Sequence, residues 1–155
     1  MAESIGEARA RMRCSDIMTR DVKTATGEMT LRDAAAMMRD GDMGSVPVVE
    51  DGRLVGILTD RDIVVRAIAE GKDPTTPIAE AMTTEIFSVR PEDFVFEAIR
   101  LMGDKQVRRI PVVGQAGELA GIIAIADIAL EMEDEREIAE TLEEISSGAA
   151  FWGKK

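Results

Sequence analysis

The sequence predicts a mixed α/β (α+β) fold of two β-α-β-β-α repeats packed about a pseudo-twofold axis, and three observations predict it. The stretch Gly56-Ile57-Leu58-Thr59-Asp60-Arg61-Asp62-Ile63 returns 65 positions later as Gly121-Ile122-Ile123-Ala124-Ile125-Ala126-Asp127-Ile128. Ser45-Val46-Pro47-Val48-Val49 returns as Arg109-Ile110-Pro111-Val112-Val113 at an offset of 64. Asp16-Ile17-Met18-Thr19 returns as Glu80-Ala81-Met82-Thr83 at the same offset of 64. A near-constant offset, broken by one residue inserted in the turn before the glycine, marks an internal duplication. A lone unit of about fifty residues has a sheet face to cover and too small a core. Two copies cover each other and leave two equivalent clefts.

The chain then divides into an N-terminal extension (1–15), a first repeat (16–72), a linker (73–79), a second repeat (80–130) and an acidic helical tail (131–155). In the extension Ile5, Ala8 and Met12 share one side of a helix, although a frayed arm fits as well. Residues 22–24 read as a short strand. Thr30 and Asp33 have capping-box spacing and open a helix that buries Leu31, Ala34, Ala35 and Met38, with Gly41 as its stop. Val46 to Val49 and Leu54 to Leu58 form a hairpin around Asp51-Gly52, a strong turn signal. The helix after Thr59 runs to Glu70 and stops at Gly71.

Asp73-Pro74-Thr75-Thr76-Pro77 is the linker, because two prolines interrupt any regular element. The second repeat follows the same plan. Residues 86–89 read as a strand, and a helix burying Val95, Ala98, Ile99 and Met102 ends at Gly103. Ile110 to Val113 and Leu119 to Ala124 form the second hairpin. From Ala126 a helical pattern continues to about Ser146, with Ile138, Leu142 and Ile145 at i, i+4 and i+7 among many glutamates. That narrow stripe fits a solvated acidic helix or one packed on a neighbour. Phe151-Trp152-Gly153 reads as a loose end or an anchor folding back.

Composition excludes several function classes. There is no histidine, so a His base, a Ser–His or Cys–His pair and a His-ligated zinc site are ruled out. Cys14 is the one cysteine, which forbids an internal disulfide and suits a reducing compartment. The net charge of −11 repels nucleic acid and anionic membranes. No apolar run approaches a membrane span, and the first 15 residues, with Glu3, Glu7 and several arginines but no apolar h-region, are no secretory signal. A cytoplasmic protein without catalysis is the expectation.

The chemistry-bearing stretch is the strand-to-helix junction at Thr59 to Asp62. Backbone N–H groups lack internal partners there, Thr59 offers a hydroxyl, and Asp62 can accept from a diol. The same two residues also read simply as a helix cap. In the second copy Asp127 stands in register, but Ala124 replaces the hydroxyl. A diol contact survives there and a phosphate contact does not. Arg108 and Arg109 precede the second Ile-Pro-Val strand, where a guanidinium fork suits phosphate and surface ion pairs are the alternative. Arg61 and Lys105 are weaker candidates of the same kind. The methionines read as core filler.

On these motifs, over about residues 16–130, the chain resembles a tandem pair of CBS (cystathionine-β-synthase) domains, a Bateman module. Leu58-Thr59-Asp60-Arg61-Asp62-Ile63-Val64 and Gln106-Val107-Arg108-Arg109-Ile110-Pro111-Val112 are similar to the small stand-alone bacterial proteins of the hypoxic response protein type. The resemblance implies a regulatory sensor that binds an adenosine-type ligand such as AMP, ADP, ATP or S-adenosylmethionine between its repeats. It places ribose on Asp62, phosphate near Thr59, and the base against backbone at Phe87-Ser88-Val89, or its counterpart Thr24, with Val46-Pro47. It also implies a homodimer through the apolar helix faces, and an unidentified protein partner. The rival reading is a ligand-free adaptor that recruits its partner through the acidic C-terminal helix. An enzyme acting on the ligand is a third, weakened by the missing histidine.

Overall fold

The computed structural model describes residues 11–131 together with Glu143 and Ile145. In chain order the elements are α1 (Cys14–Ile17), α2 (Leu31–Gly41), β1 (Ser45–Glu50), β2 (Arg53–Thr59), α3 (Asp60–Asp62) continued as a π-helix (Ile63–Ile68), a 3-10 turn (Ile78–Glu80), α4 (Val95–Lys105), β3 (Arg109–Val113), β4 (Leu119–Ala124) and α5 (Ile125–Glu131). β1 pairs with β2 and β3 with β4. Two compact units result, one from 23–86 with 116–119, the other from the remaining segments.

In the first unit β1 and β2 are antiparallel, with Ser45 opposite Thr59 and Val46 opposite Leu58. Asp51 and Gly52 both take positive φ (50° and 76°), as a two-residue hairpin turn of this twist demands. Val46, Val48 and Leu58 meet Leu31, Ala34 and Met38 of α2 in the core. The expected capping box opens α2: the Asp33 N–H donates to Thr30 Oγ1 at 3.1 Å, and the Thr30 N–H to Asp33 Oδ2 at 3.0 Å. Those bonds to Thr30, backbone first, hold the Asp33 carboxyl below its ordinary pKa. Ala35, expected inside, is exposed.

The strand expected at 22–24 is one bridging residue, Ala25, parallel to Val48. Its N–H donates to Pro47 O and its carbonyl accepts from the Val49 N–H, each at 2.9 Å. The next rung would need an N–H from Pro47, which has none, so the ladder stops. Pro47 keeps its place for the same reason, since its bare nitrogen faces this short edge and leaves the β1–β2 ladder intact. The strand expected at 86–89 shrinks in the same way to Val89, beside Pro111.

Two expected helix stops also move. α2 runs through Gly41, and Asp42 takes the left-handed cap at φ 49°; α4 runs through Gly103, and Gln106 caps it at φ 57°. Gly41 does not serve handedness, since it lies inside the helix, and a Cβ there would meet only the movable side chain of Met43. The helix after Thr59 reaches Ile68, with i→i+5 bonds from the Ala69 and Lys72 N–H groups to Val64 and Ala67 O.

The second unit buries Met18, Val95, Ile99, Met102, Ile110, Val112, Ile123 and Ile128 around Cys14. Burial, and then the charges of Asp93 and Glu97, push the Cys14 thiol up to about 12, so it stays protonated at neutral pH and acts as a small apolar filler. Met12 lies in non-helical chain and accepts at its carbonyl from the Val95 N–H, whereas Ile5 and Ala8 lie outside the described residues. So do Ile138, Leu142 and Phe151-Trp152-Gly153. Of the tail, Glu143 is exposed and Ile145 is buried.

Short leader segments complete both sheets. Thr83 bridges Ile57 on the free edge of β2, and Thr19 bridges Ile122 of β4. Each leader crosses a glycine, Gly56 or Gly121, because any side chain there would occupy its space. Among the described residues no helix is long and apolar enough to cross a membrane.

Candidate functional site

β2 ends at Thr59, opposite Ser45, and the Asp60 N–H donates to Gly44 O at 2.9 Å. That bond starts the helix beside the entry to β1. A full capping box forms at the junction: the Asp62 N–H donates to Thr59 Oγ1 and the Thr59 N–H to Asp62 Oδ2, both at 3.0 Å. The capping reading of this pair therefore holds. It does not exclude the binding reading, because the cap uses an acceptor site of the hydroxyl and leaves its proton to donate. A carboxylate has about four acceptor sites, and the cap occupies one of them.

Asp62 is 8% exposed, the one charged or polar side chain in the buried set among the described residues. Burying a carboxylate is costly unless it is paired and hydrogen-bonded. Its other neighbours supply that. Thr83 Oγ1 lies 3.4 and 3.3 Å from Oδ1 and Oδ2, and Arg66 Nε lies 3.8 Å from Oδ1. The sequence reading missed both. Arg66 was legible as the i+4 partner of Asp62 on one helix face. Thr83 was not, because only the pairing of its segment with β2 brings it there.

The junction shares its unit with three other sequence-predicted residues, Thr24, Val46 and Pro47. Val46 and Pro47 are buried, and Thr24, half-buried, precedes the Ala25 bridge. The second unit holds Phe87, Ser88, Val89, Arg108, Arg109 and Asp127. There Asp127 Oδ2 accepts from the Ala124 N–H at 3.1 Å, which is half of a capping box. Ala124 returns nothing. Arg108 carries the carbonyl that receives the Ile125 N–H at 2.9 Å, so it stands where Gly44 stands in the first copy. Arg108 and Arg109 are exposed, and neither guanidinium is in an ion pair among the described residues. Val89 is buried, while Phe87 and Ser88 are exposed, with Lys105 Nζ 4.5 Å over the Phe87 ring.

A cavity of about 340 Å³ lies elsewhere, lined by Leu31, Ala35, Ile63, Ala67 and Ile68 with Arg32 and Lys72. It touches none of the sequence-predicted site residues. Among the described residues no group of three or more cysteines and carboxylates is placed to hold a metal ion.

Comparison with known proteins bears on this geometry. A model of the CBS domain matches residues 14–68 and 78–134. The CBS domain-containing protein YhcV of Bacillus subtilis is 40% identical over 131 residues, covering 84% of this chain and 93% of that protein. The crystal structure of Hypoxic Response Protein I with two coordinated zinc ions aligns at a TM-score of 0.71 and 37% identity, over 78% of this chain and 99% of that one. The CBS domain pair of protein MJ0100, solved in complex with 5-methylthioadenosine and S-adenosyl-L-methionine, aligns at a TM-score of 0.67 and 26% identity, over 77% and 94% of the two chains.

Proposed function

The chain belongs to the CBS domain family as a tandem pair, and from that premise we propose that it is a regulatory module. It binds an adenine nucleotide or a related adenosyl ligand at the Thr59–Asp62 junction and performs no chemistry of its own. One observation carries this reading. A buried carboxylate sits at a strand–helix junction, and after its cap bond it retains acceptor sites suited to the two hydroxyls of a ribose. The Thr59 proton is left for a phosphate oxygen, and backbone at Thr24, Val46 and Pro47 is left for the base. The bound 5-methylthioadenosine and S-adenosylmethionine of the MJ0100 pair support the class of ligand.

In the second copy the half-formed cap at Asp127 makes a weaker site. Its exposed Arg108 and Arg109 suit phosphate, and Phe87 and Ser88 are exposed in the same unit. Regulation follows from linkage: the ligand biases the arrangement for which it has greater affinity. The adaptor alternative needs its apolar stripe open to a partner, and Ile145 is only 9% exposed within the single chain.

The test is a thermal-shift series with AMP, ADP, ATP and S-adenosylmethionine. Ligand at 100 times its Kd stabilises by about 2.7 kcal/mol, which is roughly 5–11 °C for a chain of this size. A shift with one adenosyl ligand, absent in Asp62→Asn, is the expected result. No shift with any of them would transfer the function to the adaptor reading.

A homodimer is part of the same proposal. Val64, Val65 and Ile68 are 55%, 46% and 66% exposed on one π-helical turn beside the apolar cavity. A patch of this kind asks for a covering surface. Sedimentation velocity should show a dimer for wild type and a monomer for Ile68→Asp; a wild-type monomer would remove the dimer from the proposal.

A further inference from the structure

The Asp62 carboxylate is held from three directions, and the third comes from outside its own motif. The Thr59 N–H fixes Oδ2 at 3.0 Å, and Arg66 Nε faces Oδ1 at 3.8 Å. Thr83 Oγ1 lies nearly equidistant from both oxygens, at 3.4 and 3.3 Å, and so lies across the carboxylate. We infer that Thr83 is a positioning residue for ligand recognition, setting the plane of the Asp62 carboxylate so that the site distinguishes ribose from 2′-deoxyribose. This rests on the reading that Asp62 receives the ligand's sugar.

The position of Thr83 is itself built. Its backbone exchanges two hydrogen bonds with Ile57, at 2.8 and 2.9 Å, on the free edge of β2. Arg66 Nη1 donates to the carbonyls of Ala81 and Met82 at 3.4 and 3.2 Å, fastening the two residues before it. Gly56 leaves the room in which Met82 lies. A threonine hydroxyl on so fixed a backbone is a directed donor and not a surface group searching for a partner.

The chemistry gives that direction a consequence. A cis-diol offers two donors at fixed spacing, and a carboxylate meets both only in one orientation about its last torsion. An untethered carboxylate would have to be ordered on binding, which weakens the contact. The second copy lacks this device. Thr19 is the register counterpart of Thr83, yet among the described residues Asp127 receives the Ala124 N–H and no threonine hydroxyl. The residue 65 positions after Arg66 is Glu131, an anion in place of the cation. The discriminating site is therefore the one at Asp62.

The experiment is calorimetric titration of the full chain with AMP and S-adenosylmethionine, each beside its 2′-deoxy analogue. It uses wild type, Thr83→Val, Thr83→Ser and Asp62→Asn. Wild type should prefer the ribose form by about 10-fold or more, the cost of leaving a buried charged acceptor unmet. Thr83→Val should weaken the ribose form by about 5–10-fold and leave the deoxy form nearly unchanged, so the preference collapses. Thr83→Ser should restore it. Equal weakening of both forms by Thr83→Val would show a merely structural role and overturn the inference. Tighter ribose binding would make Thr83 a competitor for Asp62 and overturn it too. Wild type that binds none of the ligands, or Asp62→Asn that binds them unchanged, would overturn the reading beneath it and the inference together.

Discussion

Gly121→Ala is expected to destabilise the protein by about 2–4 kcal/mol, one methyl group placed against backbone that has nowhere to go. A Cβ on Gly121 would stand 2.6 Å from the carbonyl oxygen of Thr19 and 2.9 Å from Met18 Cγ and Sδ. That carbonyl accepts the Ile122 N–H at 2.9 Å, and the Thr19 N–H returns a bond to Ile122 O at 2.8 Å. Relieving the clash means breaking the bridge and lifting Met18 out of the core around Cys14. The melting temperature should fall by roughly 4–16 °C. Gly56→Ala is the internal control. Its Cβ meets Met82 Sδ at 2.5 Å and the Thr83 carbonyl at 3.2 Å, and a methionine side chain is free to swing aside. It should cost about 1 kcal/mol. Equal losses in the two variants would show that the leaders yield alike and that the backbone contact at Gly121 is not the limiting one.

Asp62→Ala is expected to cost about 2–3 kcal/mol against about 1 kcal/mol for Asp127→Ala, although the two aspartates occupy the same place in the duplicated motif. Asp62 receives the Thr59 N–H, contacts the Thr83 hydroxyl and faces Arg66. Its removal strips a helix cap and leaves the half-buried Thr83 hydroxyl without this acceptor. Among the described residues Asp127 receives one bond, from the Ala124 N–H at 3.1 Å. Asp62→Asn retains an oxygen to accept from the Thr59 N–H, so it should recover most of the lost stability while losing the charge on which the proposed diol contact depends. Urea denaturation of the three variants measures this. Similar losses at Asp62 and Asp127 would mean that Thr83 and Arg66 contribute nothing to holding the carboxylate.

The duplication was enough to read both hairpins and, Ala35 apart, the apolar faces of α2 and α4. Each of these is local: Asp51-Gly52 dictates its turn, Thr30 and Asp33 their cap, and Val95, Ala98, Ile99 and Met102 a helical stripe. The Thr59–Asp62 cap at the candidate site was legible in the same way, because a hydroxyl and a carboxylate three residues apart meet on any helix start. The short edge strands were overread. Apolar pattern suggested ladders at 22–24 and 86–89, but Pro47 and Pro111 withhold the N–H that the next rung needs. Gly41 and Gly103 were misread because a glycine near the end of a helical pattern can lie inside the helix, leaving the left-handed cap to Asp42 and Gln106.

By itself the sequence determined the fold family, the order of elements and the one strand–helix junction with both polar groups intact, because all of these follow from spacing along the chain. Tertiary structure alone decided that residues 80–83 lie along β2 and residues 16–19 along β4. Backbone pairing between segments far apart in sequence leaves little local signature, beyond a glycine where two chains must touch. That pairing delivers the Thr83 hydroxyl to Asp62, while Ala124 in place of Thr59 leaves the second copy with half of the cap.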